Sequence, residues 1–145
     1  MKRIILLSLF PCLVWASGKT INWSASLKGV ETGKQVWLEK VPELAAAADI
    51  EQAIGLENAL AEALSKNTSG VLHTLSTIDA STWPHMIGTD IVCSIPAENA
   101  TSVVEGFYQR TRYALLSTDK GAVCLWVLEA SYEEWKAENS RKAKQ

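Results

Sequence analysis

Two of the 16 acids, Glu57 and Asp79, and the two histidines, His73 and His85, are the candidates for acid–base chemistry in this chain. Glu57 lies in a segment whose apolar side chains recur at helical spacing, and that spacing places Glu57 inside the apolar stripe. An acid in apolar surroundings has a raised pKa, so it can act as a general acid or bind a charge on a partner. The alternative is that Glu57 lies at the edge of a helix seam and reaches water or a lysine. Asp79, His73 and His85 could complete a small hydrolase site if the fold brings them within hydrogen-bond reach.

Ser76 adds a hydroxyl to His73 and Asp79, but the local sequence does not support a catalytic triad. No nucleophile elbow surrounds this serine, and no oxyanion-hole glycines precede it. The two histidines also lack the neighbouring acids and cysteines that a metal site requires. The sequence therefore predicts no catalytic residue, no metal site and no cofactor, and it favours a protein that is not an enzyme.

Large side chains outside the predicted core suggest a surface for a protein partner instead. Trp83, His85 and Met86 lie in a stretch over 79–92 that has turn-forming residues and no periodicity. Aromatic anchors dominate the energetics of interfaces, so these residues are candidates for partner binding. Trp83 could equally fold back over the core. Trp126 projects onto the polar side of the last helix, and we expect the N-terminal segment to cover it, with an exposed partner-binding aromatic as the alternative.

The first residues have the pattern of a secretory signal peptide over 1–16. Lys2 and Arg3 precede an apolar run over 4–15, and Val14-Trp15-Ala16 ends in a small residue suited to cleavage. The run is too short to span a membrane, which requires roughly 20 residues. Cleavage there predicts a periplasmic or secreted mature chain that lacks a transmembrane span. It also leaves 12 basic and 16 acidic residues, a formal charge of −4, which argues against a nucleic-acid partner.

Export makes the cysteine count informative. Cys12 lies within the signal segment, and the bulky Phe10 and Pro11 before it argue against a lipid-modified cysteine. Cys93 and Cys124 remain as a pair, and paired cysteines in exported domains usually oxidise. Neither has a histidine or a second cysteine at metal-ligand spacing. We therefore predict a Cys93–Cys124 disulfide.

The N-terminal segment over 17–42 is compatible with two structures. Apolar and polar residues alternate over 21–28, and turn-forming residues follow over 29–33, which predicts a short β-hairpin. The alternative is a short helix that begins near Trp37 and that Pro42 interrupts.

Residues 43–139 predict a small bundle of four to five helices joined by the disulfide. Asp49 and Gln52 form a variant of the capping box at the start of the first of these helices. Gly55 within that helix predicts a kink or a close contact with a neighbouring helix. The apolar stripe of this helix contains Ile50, Ala53, Leu60, Ala61 and Leu64. Further helices are expected after a cap at Thr68 or Ser69, from Glu98 or Asn99 to Ser117, and from Asp119 to about Asn139, with a disordered tail over 140–145.

Several short motifs resemble a group of small uncharacterised exported proteins of proteobacteria. These motifs are Trp37-Leu38, Val41-Pro42, Ala48-Asp49, Lys66-Asn67, Val92-Cys93 and Cys124-Leu125. The resemblance implies a periplasmic location and a paired cysteine, and it implies no activity.

The preferred functional hypothesis is a non-catalytic periplasmic binding protein, such as an inhibitor or an immunity-type protein that blocks a toxin or an envelope enzyme. It follows from the disulfide-bonded helical scaffold, the acidic charge and the lack of a catalytic motif. The expected partner is another protein of the periplasm or envelope. The alternatives are the small envelope hydrolase described above and a structural accessory of an envelope or secretion complex.

Overall fold

The structure is a computed structural model that describes residues 20–82, 85 and 87–145. The secondary structure of these residues is helical, which confirms the mainly α fold. The helices are α1 (Trp23–Glu31), α2 (Gln35–Leu38), α3 (Val41–Ala47), α4 (Ile50–Leu64), α5 (Thr68–Asp79), α6 (Thr89–Val92), α7 (Thr101–Leu116) and α8 (Ala122–Lys142), with a 3₁₀ turn at Asp119–Gly121. The predictions for the signal peptide, Cys12, Trp83 and Met86 concern positions outside the described residues.

The β-hairpin predicted near the N-terminus is wrong, since the described residues form no strand and α1 occupies this position. Asn22 caps the helix, because its Oδ1 accepts a hydrogen bond from the Ala25 amide at 3.1 Å. Ser26 and Val30 are buried and α1 packs along α4. Of the alternating residues, Trp23 and Leu27 continue to Val30 at helical spacing and pack on the core, and burial against α4 selects the helix.

The end of α1 is held by the turn between α4 and α5. Gly33 adopts a positive φ of 71°, which glycine reaches without steric cost, and its carbonyl accepts a hydrogen bond from Asn67 Nδ2 at 2.8 Å. Lys66 Nζ donates to the Glu31 carbonyl at 2.8 Å, where a cation also complements the helix dipole. Asn67 Oδ1 accepts from the Gly70 amide at 3.0 Å and caps α5, so the cap lies one residue before the predicted Thr68. The Lys66-Asn67 pair therefore has a structural role.

Pro42 starts a helix rather than interrupting one. It lies in the first turn of α3, where its missing amide hydrogen leaves no helical hydrogen bond unmade. The predicted short helix near Trp37 corresponds to α2, which ends at Leu38.

The predicted capping box of α4 is confirmed. The Asp49 amide donates to Gln52 Oε1 at 2.9 Å, and the Gln52 amide donates to Asp49 Oδ1 at 2.8 Å. The predicted close contact at Gly55 is also confirmed, because a methyl group there would lie 2.8 Å from Leu27 Cδ1 of α1. Gly55 therefore allows α1 to approach α4.

The Cys93–Cys124 disulfide is present, with the two Cα atoms 5.3 Å apart. Cys93 caps the C-terminus of α6 and Cys124 lies in the first turn of α8. The segment over 79–92, predicted as a loop, contains the end of α5 and all of α6.

The boundaries of the last two helices differ from those expected. α7 begins at Thr101 rather than at Glu98 or Asn99, because a turn precedes it in which the Asn99 amide donates to the Pro96 carbonyl at 3.0 Å. α8 continues through Lys142, past the expected end near Asn139, so part of the tail predicted to be disordered is helical.

A tyrosine stack joins α7 to α8. The rings of Tyr108 and Tyr132 lie 3.7 Å apart and almost parallel. Tyr108 Oη donates to Glu129 at 2.8 Å and Tyr132 Oη donates to Glu105 at 2.9 Å. Burial, together with the hydrogen bond to Glu129, raises the pKa of Tyr108 to about 12. Both phenols therefore remain protonated donors at neutral pH and hold the two helices together.

Candidate functional site

The four groups considered for acid–base catalysis are distributed over three cavities. Asp79 shares a cavity of about 480 Å³ with His73 and another of about 500 Å³ with His85. Glu57 lines a third, larger groove of about 750 Å³, and neither histidine lines that groove. The structure therefore does not bring these four residues together in one cavity.

Asp79 is engaged in a structural interaction. Its Oδ1 accepts a hydrogen bond from the Thr89 amide at 3.0 Å and its Oδ2 accepts one from Thr89 Oγ1 at 2.5 Å. A methyl group at Gly88 would lie 2.7 Å from Asp79 Oδ1, so the glycine makes room for the carboxylate. These bonds fix the start of α6, and both oxygens of Asp79 are occupied.

Ser76 is not paired with an imidazole. Its hydroxyl donates to the backbone carbonyl of His73 at 2.7 Å. A triad requires the hydroxyl to donate to the imidazole of the histidine, and that bond is not formed.

The Glu57 groove lies between α4 and α7. From α7 it is lined by Val103 and Phe107, and α6 and the segment that follows it contribute further lining residues. The lining residues of α4 are Ile54, Glu57, Asn58, Ala61 and Glu62. Phe107 is buried at the base, whereas Val103 is 46% exposed. The groove is therefore open to solvent and largely apolar in its floor and walls.

An apolar stripe on α4 borders the core, and its residues Ile54 and Ala61 line the groove together with Glu57. Ile50, Ile54, Glu57 and Ala61 follow one another at spacings of four, three and four residues, which places them on one side of the helix. Ile50 is 63% exposed and Ile54 is 52% exposed, whereas Leu60 is completely buried. The sequence placed Ile50 and Leu60 in a single buried stripe, so the prediction for Ile50 is wrong. The apolar surface of α4 is wider than the core covers.

An ion pair crosses from one wall of the groove to the other. Arg110 Nη2 of α7 lies 2.9 Å from Glu62 Oε1 of α4. Both side chains are more than 40% exposed, so the pair contributes little to stability. Its effect on the groove is to neutralise Glu62.

Among the described residues, Glu57 has no such counter-ion. Its side chain forms no ion pair or hydrogen bond with the described part of the chain, and partial burial raises its pKa. Asp90 and Glu98 add two exposed carboxylates to the lining, and the described lining residues include no lysine, arginine or histidine. The groove therefore combines an apolar wall with an uncompensated negative charge.

The other candidate partner-binding residues lie elsewhere. Trp126 is 73% exposed, so the described part of the N-terminal segment does not cover it, contrary to expectation. Val123 on the same helix and Tyr113 and Leu116 near the end of α7 are also exposed. His85 is half-buried beside Asp79.

Within the part of the chain that the structure describes, no three histidine, cysteine or acidic side chains form a group that could hold a metal ion. No helix in that part combines the length and apolar character needed to cross a membrane. Comparison of the chain with protein-family models, with curated proteins and with solved structures finds no match.

Proposed function

We propose that the protein is a non-catalytic binding protein of the periplasm and that it holds a segment of another protein in the Glu57 groove. The proposal rests on the exposed Ile54 and the half-buried Ala61, which form an apolar stripe in the groove on either side of the half-buried Glu57. Contiguous exposed apolar surface costs solubility, and a partly desolvated carboxylate without a counter-ion costs stability. A partner that covers the stripe and supplies a counter-charge accounts for both features.

The disulfide supports the periplasmic location. Disulfides persist in oxidising compartments, and Cys93–Cys124 is such a bond. The signal-peptide pattern over 1–16 and the resemblance to small exported proteins point to the same compartment.

The scaffold suits an inhibitor or immunity-type protein. The disulfide fixes α6 to α8, and Asp90 and Ile91 of α6 line the groove. A groove whose walls are already held in place loses less conformational entropy when it binds, and this raises affinity. The hydrolase alternative lacks comparable support, because Asp79 is bonded to Thr89 and neither His73 nor His85 lines the groove with Glu57.

Site-specific photocrosslinking in the periplasm tests the proposal. A photoreactive phenylalanine analogue is placed at Val103, which lines the groove, or at Val36 on α2, which is 58% exposed and outside it. We expect a discrete protein adduct from position 103 alone. The substitution Ala61→Arg fills the groove and should abolish this adduct, whereas Ala46→Arg on the exposed surface of α3 should not. Adducts of equal yield from both positions, or an adduct that survives Ala61→Arg, would contradict the proposal.

A further inference from the structure

We infer that the occupant of the Glu57 groove is a protein segment with one lysine or arginine flanked by apolar side chains. This inference rests on the function proposed above and specifies the chemistry of the partner. It follows from the charge, the apolar surface and the length of the groove.

The charge of the groove indicates a basic residue on the partner. The lining residues Glu57, Glu62, Asp90 and Glu98 are acidic, and Arg110 pairs with Glu62 alone. Glu57 is the most enclosed of the remaining three, since Asp90 and Glu98 are exposed. A cation on the partner would therefore find its strongest electrostatic partner at Glu57, where solvent screening is weakest.

The apolar surface of the groove indicates apolar side chains on either side of that basic residue. Ile54 lies one turn before Glu57 on α4 and Ala61 lies one turn after it, while Val103 forms the opposite wall. Lysine and arginine carry apolar stems that can lie along such surface while the charged head reaches a carboxylate. The side chains on either side of the basic residue would then pack on Ile54 and Ala61.

The length of the groove limits how many residues of the partner it can hold. Ile54 and Ala61 are seven residues apart on one helix, which corresponds to about 10 Å along its axis. This distance fits about two turns of an incoming helix, in which residues i, i+3 or i+4, and i+7 lie on one face. One basic residue with an apolar residue one turn away on each side is the pattern that matches this length.

The same groove selects against other partners. An acidic segment would meet carboxylates of the same sign, and a neutral segment would cover Glu57 without compensating its charge. The groove therefore disfavours acidic and neutral segments through Glu57, and its apolar walls disfavour fully hydrophilic ones.

Selection from a random peptide display library tests the inference with peptides in place of the natural partner. Peptides are selected on the oxidised protein purified from the periplasm and counter-selected on the Ala61→Arg variant. We expect the peptides that distinguish the two proteins to share a lysine or arginine between apolar residues. Replacing that basic residue by norleucine should weaken binding about tenfold on the wild-type protein and less than about twofold on Glu57→Gln. Glu43→Gln, an exposed acid on α3, is the matched control and should behave as wild type.

The possible outcomes separate the two proposals. If peptides sensitive to Ala61→Arg show no enrichment of basic residues, or if the norleucine replacement has the same effect on wild type and Glu57→Gln, the inference is overturned while groove binding stands. If no selected peptide is sensitive to Ala61→Arg, the groove is not a binding surface and both proposals fail.

Discussion

A glycine-to-alanine substitution should have opposite effects on the stability of the protein in α1 and in α7. Gly29 and Gly106 both lie inside helices, where alanine is favoured over glycine by about 0.5–1 kcal/mol. At Gly106 the only atom of the described residues that a new methyl group would meet is Arg110 Nη1, at 3.6 Å, which is an ordinary contact. The propensity gain should therefore be realised, and Gly106→Ala should stabilise the protein by about 0.5–1 kcal/mol.

At Gly29 the same methyl group would overlap the indole of Trp37. It would lie 2.6 Å from Cγ and closer still to two other ring atoms, and an aromatic ring cannot yield as a flexible chain end does. Overpacking of this kind costs about 1–3 kcal/mol, which exceeds the propensity gain. We expect Gly29→Ala to destabilise the protein by up to roughly 2.5 kcal/mol.

Urea unfolding followed by circular dichroism under oxidising conditions measures both changes. Trp37→Ala removes the ring and provides a control for the mechanism. In that background Gly29→Ala should no longer destabilise, so the pair should show a coupling energy of about 1 kcal/mol or more. Equal stability of Gly29→Ala and Gly106→Ala in the wild-type background would refute the account of α1 packing.

Three further predictions concern Glu57, Thr111 and the disulfide. Because burial raises the pKa of Glu57 in the folded state, its ionisation opposes folding, and stability is lost as pH rises from the ordinary value of 4.5 through the raised pKa. Glu57→Gln should therefore have a higher melting temperature than wild type at pH 7, and this difference should disappear below pH 4.5. A difference in melting temperature that is the same at both pH values would contradict a raised pKa for Glu57. The Thr111 side chain is fully buried and its hydroxyl finds no hydrogen-bond partner among the described residues, so Thr111→Val should stabilise by about 1 kcal/mol in urea unfolding. Replacing Cys93 and Cys124 by serine opens a loop with a sequence separation of 31 and should cost about 3–4 kcal/mol in the same assay, and an unchanged midpoint would contradict this estimate.

The features that the sequence predicted correctly depend on local chemistry. Asp49 and Gln52 satisfy each other's amides within one helical turn, so their capping box is visible without the rest of the fold. Cys93 and Cys124 could be paired because they were the two cysteines outside the predicted signal peptide. Gly55 indicated a kink or a close helix contact because an interior glycine costs about 1 kcal/mol relative to alanine, and a close contact is one feature that offsets this cost.

The features that could not be predicted from the sequence depend on tertiary packing. The residues of α1 fit both a strand period and a helix period, and contact with α4 decides between them. Tyr108 and Tyr132 lie at the seam between α7 and α8, where Glu129 and Glu105 accept their hydrogen bonds. These hydrogen bonds join residues 21 and 27 positions apart, so the periodicity of either helix alone gives no indication of the stack.

The candidate site was predicted in part. The sequence placed Glu57 within an apolar stripe, and the structure has it beside Ile54 and Ala61 at the edge of α4. The periodicity of α4 could not show that α7 stands across a groove from this stripe and leaves it open to solvent.

The most direct test of whether the charge of Glu57 recognises the partner uses the protein that crosslinks at Val103. The test measures how tightly this partner binds the Glu57→Gln variant. The partner is purified, and its dissociation constant is measured for the wild-type protein, for Glu57→Gln and for the exposed control Glu43→Gln. If Glu57 holds a basic side chain of the partner, Glu57→Gln should bind about tenfold more weakly than wild type while Glu43→Gln binds as wild type. Binding of Glu57→Gln at wild-type affinity would contradict the claim that the charge in this groove recognises the partner.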